Sequence, residues 1–418
     1  MRIVLVYQHF IVSGVGSTKP YDLARHLVAT GHDVTVICGK GYLSQGMKVP
    51  KGLLVRLNIE GIKLAVLGVD YRQQMSFAQR ILSFLTFTFG AMLLVCFMRR
   101  YDVLVASSTP LTVGLAGLVS RYIRGRPWIF EVRDMWPEYP VVAGYLKNKF
   151  VIWLSTFFEE WFYRSASAVS VIGSRMRDTL IRRGFPAEKI VFIPTAVSLD
   201  EFKAVEPDRA WRAEHGLEGQ TVAVYTGSHG PSNGLQYVLE AAESLKNNPG
   251  YKFVLLGAGS DKPRLMAEAE QRGLKNVLFL PPVPRSRIPG ILKACDATLL
   301  IYEITPATGY DMPNKFFEYL AAGLPMITND EAELWDHVKE FDCGILVDPD
   351  RPEELADALR TLKSDLERAR QMGRQALELV RTRFDRKRLH KTWEDLLWQV
   401  AACGRAGRPG EPPRGPAR

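Results

Sequence analysis

Short apolar runs rich in β-branched residues alternate with longer helical segments along this sequence, and this alternation restricts the folds open to it. The strands predicted in the first half are Ile3–Tyr7, Val34–Ile37, Val103–Ala106, Ile129–Val132 and Val169–Ile172. Those predicted in the second half are Val222–Tyr225, Phe253–Leu256, Val277–Leu280, Thr298–Ile301, Met326–Thr328 and Ile345–Val347. Continuous apolar runs are typical of strands buried on both faces of a parallel sheet. Two such series predict an α/β protein with two doubly wound, Rossmann-like domains.

The length of 418 residues also fits two domains, since domains usually contain about 100–200 residues. We predict an N-terminal domain over 1–197, a linker over 198–206 and a C-terminal domain over 207–385. A helix over 386–403 is expected to pack back toward the N-terminal domain, and a disordered basic tail over 404–418 is expected to follow. Because open α/β sheets bind ligands at the carboxyl ends of their strands, we expect a deep interdomain cleft to hold them.

Charge and cysteine content narrow the possible partners and compartment. Lys and Arg total 54 against 45 for Asp and Glu, and this net charge of +9 favours an anionic partner: a nucleotide, a phospholipid surface or a nucleic acid. The five cysteines form no CxxC pair, which argues against a disulfide framework or structural zinc and favours a reducing cytoplasm. The segment Met1–Tyr7 leads directly into a strand without the pattern of a signal peptide.

Two apolar segments in the first half raise the question of membrane contact. Ile81–Phe97 has no charge and is flanked by Arg80 and by Arg99 and Arg100. It is a little shorter than the roughly 20 residues of a spanning helix. A core helix, a helix on a membrane surface and a membrane span are all compatible with it. Phe150–Tyr163 has its aromatic residues on one helical face, as expected of either a core or an interfacial helix.

The strongest chemical signal is the segment Asp311–Pro325, which lies between two predicted strands. Asp311 is a candidate N-cap and Pro313 suits a first turn, so a helix is expected to begin there. Its free N–H groups and dipole would attract a diphosphate. Lys315 and Glu318 share one helical face, where the ammonium can meet a phosphate oxygen and the carboxylate can accept hydrogen bonds from ribose hydroxyls. The alternative interpretation is an ordinary surface Glu–Lys pair.

Glycine loops and a polar turn supply the other candidates. Ser13–Ser17 and Gly257–Gly259 follow strands, where glycine lets the backbone approach a phosphate, although a simple turn is the alternative. The first loop lacks the third glycine of a dinucleotide fingerprint, which disfavours a dehydrogenase. Asp134 follows a strand and is a candidate general base, with a capping or Trp-positioning role as the alternative. His229 could reach a diphosphate, but a lone histidine is more often structural.

In this order the motifs resemble glycosyltransferase family 4. Asp311–Pro325 resembles the second half of that family's E-x7-E region, most closely the P-S-K-x-F-E-Y-x-A-x-G-x-P variant of transferases similar to the N-acetyl-L-fucosamine transferase of polysaccharide assembly. Glu131–Glu138 resembles the D-x-W-P-E signature, and Ile193–Phe202 resembles the interdomain I-P-N-G-V-D-x-x-x-F. Tyr225–Ser228 resembles the Y-x-G-N opening of the second domain, and Gly31–Val36 is similar to the G-H-x-V-x-V that ends the first helix.

The resemblance implies a GT-B fold, a nucleotide-sugar donor held mainly by the C-terminal domain and an acceptor held mainly by the N-terminal domain. It also implies retention at the anomeric carbon without a metal ion or another cofactor, and the sequence has no obvious D-x-D site. Two departures stand out. The first glutamate of E-x7-E is replaced by Tyr310, and 227–234 lacks the usual Arg and Lys. Phosphate binding would then depend on glycine loops, on Lys315 and on a basic group such as Lys19 or Arg133.

The resemblance therefore implies a retaining transferase that moves a sugar, expected to be an N-acetylated amino sugar, from a UDP-sugar to a lipid-linked saccharide in polysaccharide, O-antigen or capsule biosynthesis. It would act in the cytoplasm, peripherally on the inner face of the plasma membrane, without nucleic acid. A UDP-sugar 2-epimerase of the same fold and a non-catalytic, membrane-associated nucleotide-sugar-binding protein are the alternatives.

The predicted site residues fall into three groups. The catalytic candidates are Asp134, Lys315 and Glu318. The donor-binding candidates are Gly14, Gly16, Gly227, Ser228, Gly257, Gly259, Val283, Gly309, Tyr310, Asp311, Pro313, Asn314, Lys315 and Glu318. The acceptor-side candidates are Arg133, Asp134 and Trp136.

Overall fold

Each of the two predicted strand series forms its own parallel sheet in the computed structural model. The structure describes residues 1–12, 18–71, 75–142, 144, 146–305 and 312–406. The chain divides into two units. The first contains Met1–Pro194 and Leu389–Arg418, and the second contains Thr195–Arg388. The predicted linker over 198–206 includes a short helix, Leu199–Lys203, and part of the predicted basic tail lies outside the described residues.

The sheet of the first unit has the strand order β3-β4-β2-β1-β5-β6-β7-β8. Its strands are β1 Arg2–Tyr7, β2 Asp33–Gly39, β3 Leu54–Ile59, β4 Ile62–Leu67, β5 Val103–Ser107, β6 Trp128–Val132, β7 Ala168–Val171 and β8 Ile190–Phe192. All of these pairings are parallel except that of β3 with β4, which form a hairpin. The central strands β1 and β5 are buried almost throughout, as their apolar sequences predict.

Helices connect these strands and cover the sheet. They are α1 Lys19–Ala29, α2 Lys40–Gly46, α3 Phe77–Phe97, α4 Gly114–Leu118, α5 Glu138–Val142, α6 Lys149–Ser165 and α7 Ser174–Arg182, with 3-10 helices at Leu111–Val113 and Ala187–Lys189 and a π-helical segment at Val119–Ile123. A capping box starts α3, in which the Ser76 hydroxyl accepts from the Gln79 backbone and the Gln79 side chain accepts from the Ser76 backbone. The Asn148 side chain caps α6 by accepting hydrogen bonds from the backbone nitrogens of Phe150 and Val151.

The second unit contains a sheet with the order β11-β10-β9-β12-β13-β14, in which all pairings are parallel. Its strands are β9 Thr221–Ser228, β10 Tyr251–Ala258, β11 Val277–Leu280, β12 Ala297–Leu300, β13 Met326–Thr328 and β14 Gly344–Leu346. Its helices are α8 Leu199–Lys203, α9 Arg209–Glu214, α10 Leu235–Glu243, α11 Lys262–Gln271, α12 Ile288–Lys293, α13 Asn314–Ala321, α14 Glu333–Glu340, α15 Glu353–Ser364 and α16 Leu366–Leu379, with 3-10 helices at Pro231–Asn233 and Arg285–Arg287 and a π-helical segment at Val380–Phe384. This order is that of a doubly wound nucleotide-binding domain.

The last helix, α17 Arg386–Ala406, returns the chain to the first unit. Glu394 of this helix accepts a hydrogen bond from the His32 ring at 3.0 Å, and the amino group of Met1 lies 3.1 Å from the other nitrogen of that ring. Trp393 and Leu397 are buried on the same helix. The first unit is therefore built from both ends of the chain.

Candidate functional site

The order of the second sheet reverses between β9 and β12, and the candidate site lies at this point. From β9 the chain winds outward through β10 and β11, and it then returns to β12 on the other side. Ligands of open α/β sheets bind at the carboxyl ends of the strands at such a reversal. The loop after β9 and helix α13, which follows β12, contribute the groups described below.

Lys315 on the first turn of α13 reaches the end of β9. Its ammonium donates hydrogen bonds to the Tyr225 hydroxyl at 3.0 Å and to Oδ1 of Asn233 at 2.8 Å. The same nitrogen lies 4.4 Å from the ring centre of Tyr225 and 4.9 Å from that of Tyr302. The Tyr225 hydroxyl donates a hydrogen bond to the Ser228 carbonyl. Because burial raises the pKa of Tyr225, this hydroxyl is neutral, and its oxygen can accept the hydrogen bond from Lys315. The ammonium is thereby fixed above the reversal point.

Glu318, one turn further along α13, has a different partner. A nitrogen of Arg285 lies 3.2 Å from its carboxylate, whose side chain is 17% exposed. Burial raises the pKa of Glu318, and the nearby guanidinium of Arg285 partly opposes this effect. Lys315 and Glu318 therefore engage groups in other parts of the unit, which an ordinary surface Glu–Lys pair would not do.

The start of α13 differs in detail from the sequence prediction. The helix begins at Asn314, and Pro313 occupies the N-cap position without a side-chain capping bond, so Pro313 was wrongly placed in the first turn. A proline ring offers no acceptor, but its φ of −70° leads the chain into the helix. The candidate cap Asp311 lies outside the described residues, as do Gly309, Tyr310 and the first-domain loop residues Gly14 and Gly16.

Tyr319 fixes α13 against the end of β9. Its hydroxyl accepts a hydrogen bond from the Thr226 backbone nitrogen at 2.7 Å, and its ring is fully buried. Phe316 and Phe317 pack against Phe384. These apolar and aromatic contacts hold the helix in place, while Lys315 and Glu318 are only partly buried.

The predicted donor-binding glycines have a packing role that is visible without a ligand. A Cβ atom on Gly257 would lie 1.8 Å from the Gly227 carbonyl oxygen, and one on Gly259 would lie 2.3 Å from the His229 carbonyl oxygen. Both Gly227 and Gly257 have positive φ, at 142° and 154°. The loops after β9 and β10 can therefore only approach each other this closely with glycine, and contact of these loops with phosphate stays a prediction.

His229 is the most unusual group in this part of the site. Its side chain is fully buried, and neither ring nitrogen has a hydrogen-bond partner within the described residues. Burial, with the positive charges of Lys262 and Lys315, lowers its pKa to about 4. The imidazole is therefore neutral at physiological pH.

The stability of the protein should consequently fall as the pH is lowered from about 6.5 toward 4, because the unfolded chain takes up a proton that folded His229 does not. One such group changes the unfolding free energy by at most about 1.4 kcal/mol per pH unit. Urea unfolding across this range measures the slope, and His229→Gln should reduce it. An identical slope in His229→Gln would contradict the assignment.

Two basic residues missed by the sequence analysis also belong to this region. Lys262, the first residue of α11, donates to the carbonyls of Gly257 and Leu280 at 2.7 and 2.6 Å, and burial lowers its pKa. Arg285 follows the loop that contains Val283, one of the predicted donor-binding residues. The segment 227–234 has no Arg or Lys of its own, but folding brings cationic groups from α11 and α13 close to it. Both missed residues directly follow strand-end loops, a position that could have identified them.

In the first unit, the loop after β6 carries the predicted acceptor-side residues Arg133, Asp134 and Trp136. The Arg133 backbone nitrogen donates to the Ser108 hydroxyl at 3.0 Å. The Thr109 hydroxyl donates to the Asp134 carboxylate, and Trp136 is half-buried. Asp134 thus lies at the carboxyl end of the central strands with its carboxylate oriented by Thr109, which is compatible with either role predicted for it.

A buried ion pair lies beside this loop. The Lys19 ammonium is 3.2 Å from Glu131, and the Tyr7 hydroxyl donates to the same carboxylate. Burial opposes ionisation of Glu131, but Lys19 and Arg133 outweigh it and hold its pKa below the ordinary value. Lys19, predicted as a phosphate-binding candidate, therefore already has a carboxylate partner in this structure. In the described part of the chain, no group of three or more His, Cys, Asp or Glu could hold a metal ion.

Comparison with known proteins gives matches over both units. The family described as "Glycosyl transferase 4-like domain" matches residues 16–196, and "Glycosyl transferases group 1" matches residues 207–379. The putative colanic acid biosynthesis glycosyl transferase WcaI of Escherichia coli is 30% identical over 225 residues, which are 52% of this chain and 55% of that protein. Alpha-D-kanosaminyltransferase of Streptomyces kanamyceticus is 27% identical over 228 residues, 53% of this chain and 57% of that protein.

The chain thus spans little more than half the length of these relatives. Among solved structures, Anabaena HepE in complex with UDP is similar with a TM-score of 0.70 and 17% identity, covering 96% of this chain and 100% of that one. At this identity the likeness extends to the fold alone. Both units of the chain are included in it.

Proposed function

Since this chain belongs to glycosyltransferase family 4 and has the GT-B fold, we propose that it transfers a sugar from a UDP-sugar to a saccharide acceptor carried on a lipid. The proposed reaction retains the configuration at the anomeric carbon, uses an N-acetylated amino sugar and serves polysaccharide biosynthesis. The observation that carries the proposal is the placement of Lys315 and Glu318 on one helix at the reversal point of the second sheet. The relative named for colanic acid biosynthesis and the UDP complex of the similar structure support it.

Lys315 and the start of α13 would stabilise the leaving diphosphate. As the bond to the sugar breaks, negative charge develops on the β-phosphate oxygen, and a fixed cation lowers the energy of this state most. The hydrogen bonds to Tyr225 and Asn233 hold the ammonium before the donor binds. The N-terminal end of the α13 dipole adds partial positive charge at the same place. We propose that no metal ion is required, so a chelator should leave the rate unchanged.

Glu318 would orient the donor through its ribose. A carboxylate has two oxygens that together accept several hydrogen bonds, so it can hold Arg285 and two ribose hydroxyls at once. The guanidinium keeps the carboxylate in one orientation and favours its ionised form. The donor would then be held by its ribose at one end and by its diphosphate at the other.

In the first unit, Asp134 would orient the acceptor hydroxyl, with Arg133 and Trp136 beside it. In a retaining reaction on one face of the sugar, the departing β-phosphate oxygen itself can take the acceptor proton. Asp134, held by Thr109, would then position the hydroxyl or assist its deprotonation.

The experiment that tests this function is an assay of the purified chain with UDP- and GDP-sugars, with and without lipid-linked saccharides. We expect transfer with a UDP-sugar only when an acceptor is present, and a product with retained anomeric configuration by NMR. A 2-epimerase would convert the free UDP-sugar without any acceptor. A non-catalytic binding protein would bind UDP without turnover, and failure to bind any nucleotide sugar would overturn the proposal altogether.

Glu318→Gln should lower kcat/KM by about 100-fold, because a donor released from one anchor loses its alignment. The pKa of Glu318 is raised by burial, so activity of the native protein should fall as the pH drops through that pKa. Glu318→Gln should lose this acid limb, and Arg285→Gln should move it to higher pH. Glu340→Gln, on the exposed end of α14, is the matched control and should behave as the native protein. An unchanged pH profile in both site variants would rule out this role.

A further inference from the structure

The first unit exposes large apolar side chains on two of its helices. On α3 the exposed residues are Leu82, Leu85, Phe89, Leu93 and Phe97. On α6 they are Phe150, Trp153, Phe157 and Trp161. Soluble proteins rarely expose contiguous apolar surface on this scale unless it binds a partner or a membrane. We call the surface formed by these residues, together with Tyr122 and Ile123, the apolar face.

The exposed residues of each helix form a single stripe. On α3 they follow one another at intervals of three or four residues, the spacing of one helical face. The opposite side of α3 is buried, with Phe87, Ala91 and Val95 fully covered. The stripe on α6 has the same spacing, while Phe162 and Tyr163 are buried beneath it. Both helices are thus anchored to the protein on one side and uncovered on the other.

The two stripes belong to one continuous surface. Helix α4 contacts both α3 and α6. At the end of the segment after α4, the ring of exposed Tyr122 lies 6.3 Å from that of Trp161 on α6. Arg124 in the same region donates to the Met98 carbonyl at the end of α3 at 2.6 Å. The carboxyl ends of α3 and α6 are therefore connected through the exposed Tyr122–Ile123 pair.

The packing of α3 along the first unit argues against a membrane span. Within the described residues, α3 is the one helix long and apolar enough to cross a bilayer, and only 28% of its most apolar window is buried. However, Val103 begins the central strand β5 six residues after Phe97. A helix packed along its length against a folded unit cannot cross a bilayer without pulling that strand out of the sheet. Of the three interpretations open from the sequence, the surface helix fits these contacts.

Charge complementarity identifies the surface that would cover the apolar face. In the described stretches 98–125 and 146–150, the exposed charged residues are all basic: Arg99, Arg100, Arg121, Lys147 and Lys149. Cations beside an apolar stripe are attracted to anionic lipid headgroups, while Trp and Tyr favour the boundary between headgroups and acyl chains. A soluble protein partner would not require basic residues together with Trp and Tyr beside the same apolar stripe.

We propose that the apolar face inserts into the interfacial layer of an anionic phospholipid bilayer, with α3 and α6 lying in its plane and the basic residues contacting headgroups. Two helices insert together, so the first unit is held in one orientation on the membrane. The proposal specifies which surface of the first unit would contact the membrane in the predicted peripheral location. It is independent of the proposed transfer reaction, because binding to lipid can be measured without donor or acceptor.

The test is co-sedimentation of the full-length protein with vesicles of phosphatidylcholine, with or without phosphatidylglycerol. We expect binding to vesicles that contain phosphatidylglycerol, weaker binding at high salt because of screening, and little binding to phosphatidylcholine alone. Leu85→Glu with Phe89→Glu, and Trp153→Glu with Phe157→Glu, should each reduce binding about tenfold or more, since they place charge in the inserted layer. Arg99→Gln with Arg100→Gln should reduce binding to anionic vesicles only.

Leu366→Glu is the matched control, because Leu366 is 57% exposed on the second unit, close to the 51% of Leu85. It should bind lipid as the native protein does. Thermal unfolding of every variant without vesicles checks that the fold is kept, which the exposure of the substituted residues favours. Native-like vesicle binding by both double Glu variants would overturn the proposal. So would a stable dimer that these variants dissociate, since a second copy would then cover the face.

Discussion

Replacing Lys315 with Met should reduce kcat by about 10²- to 10³-fold, the usual effect of removing one fixed group that stabilises developing charge. The ammonium already lies 2.8 Å from Asn233 and 3.0 Å from Tyr225, so its position does not depend on the donor. Met keeps most of the length and the contact with the Tyr225 and Tyr302 rings, and the fold should therefore persist. The loss should appear in kcat as well as in the affinity for UDP, measured by steady-state kinetics and calorimetry.

Three further variants separate the charge of Lys315 from its position. Lys315→Arg keeps the charge but cannot reproduce the contacts of a compact ammonium, so it should recover only part of the activity. Asn233→Ala keeps Lys315 and removes one of its anchors, which should cost less than Lys315→Met. Lys246→Met, at a half-exposed lysine on the same unit, should have no effect. Native turnover in Lys315→Met would exclude any role of this ammonium in catalysis.

Replacing Glu131 with Gln should destabilise the first unit by about 3–5 kcal/mol, the usual result of removing one partner from a buried ion pair. The side chains of Lys19 and Glu131 are only 10% and 1% exposed. The substitution leaves the Lys19 ammonium buried beside Arg133, and burial together with the positive charge of Arg133 already lowers the Lys19 pKa. Six of the eight tryptophans lie in the first unit, so tryptophan fluorescence during urea unfolding reports mainly on this unit.

The double variant Lys19→Met with Glu131→Gln distinguishes the buried charge from the loss of packing. It removes both charges and should recover most of the stability lost in Glu131→Gln. The pH dependence has a definite sign. In Glu131→Gln, the pKa of Lys19 in the folded protein lies even further below its pKa in the unfolded chain. The unfolded chain therefore binds more protons, and the stability of this variant should rise as the pH is raised. A double variant as unstable as Glu131→Gln would instead point to packing.

The strand pattern predicted both sheets because buried parallel strands are continuous apolar runs. The hairpin of β3 and β4 and the short strand β8 were missed. In β3 the exposed and partly buried positions alternate, and polar residues such as Arg56 and Asn58 interrupt the apolar pattern. Its turn has Glu60 and Gly61 at positive φ, a geometry that two-residue hairpin loops require. Edge strands carry a weaker hydrophobic signal because only one of their faces is covered.

The spatial relation between Lys315 and Glu318 could be predicted from the sequence. Lys315 and Glu318 are three residues apart on one helix, so helical geometry alone relates them. Arg285 and Lys262 come from other crossovers of the parallel sheet and meet α13 or the β9 loop only after folding. The same holds for Lys19 and Glu131, which are adjacent in space across the sheet order β1-β5-β6. A single sequence contains no local pattern that pairs such residues.

The return of α17 to the first unit affects the order in which the two units can finish folding during synthesis on the ribosome. Domains at the N-terminus usually fold first during synthesis. Here the second unit is one continuous stretch, Thr195–Arg388, whereas the first unit includes the residues from Leu389 onward, among them the buried Trp393 and the partly buried Glu394, which bonds to His32. The first unit can therefore be completed only after α17 has left the exit tunnel. By then its apolar helices α3 and α6 have already been synthesised.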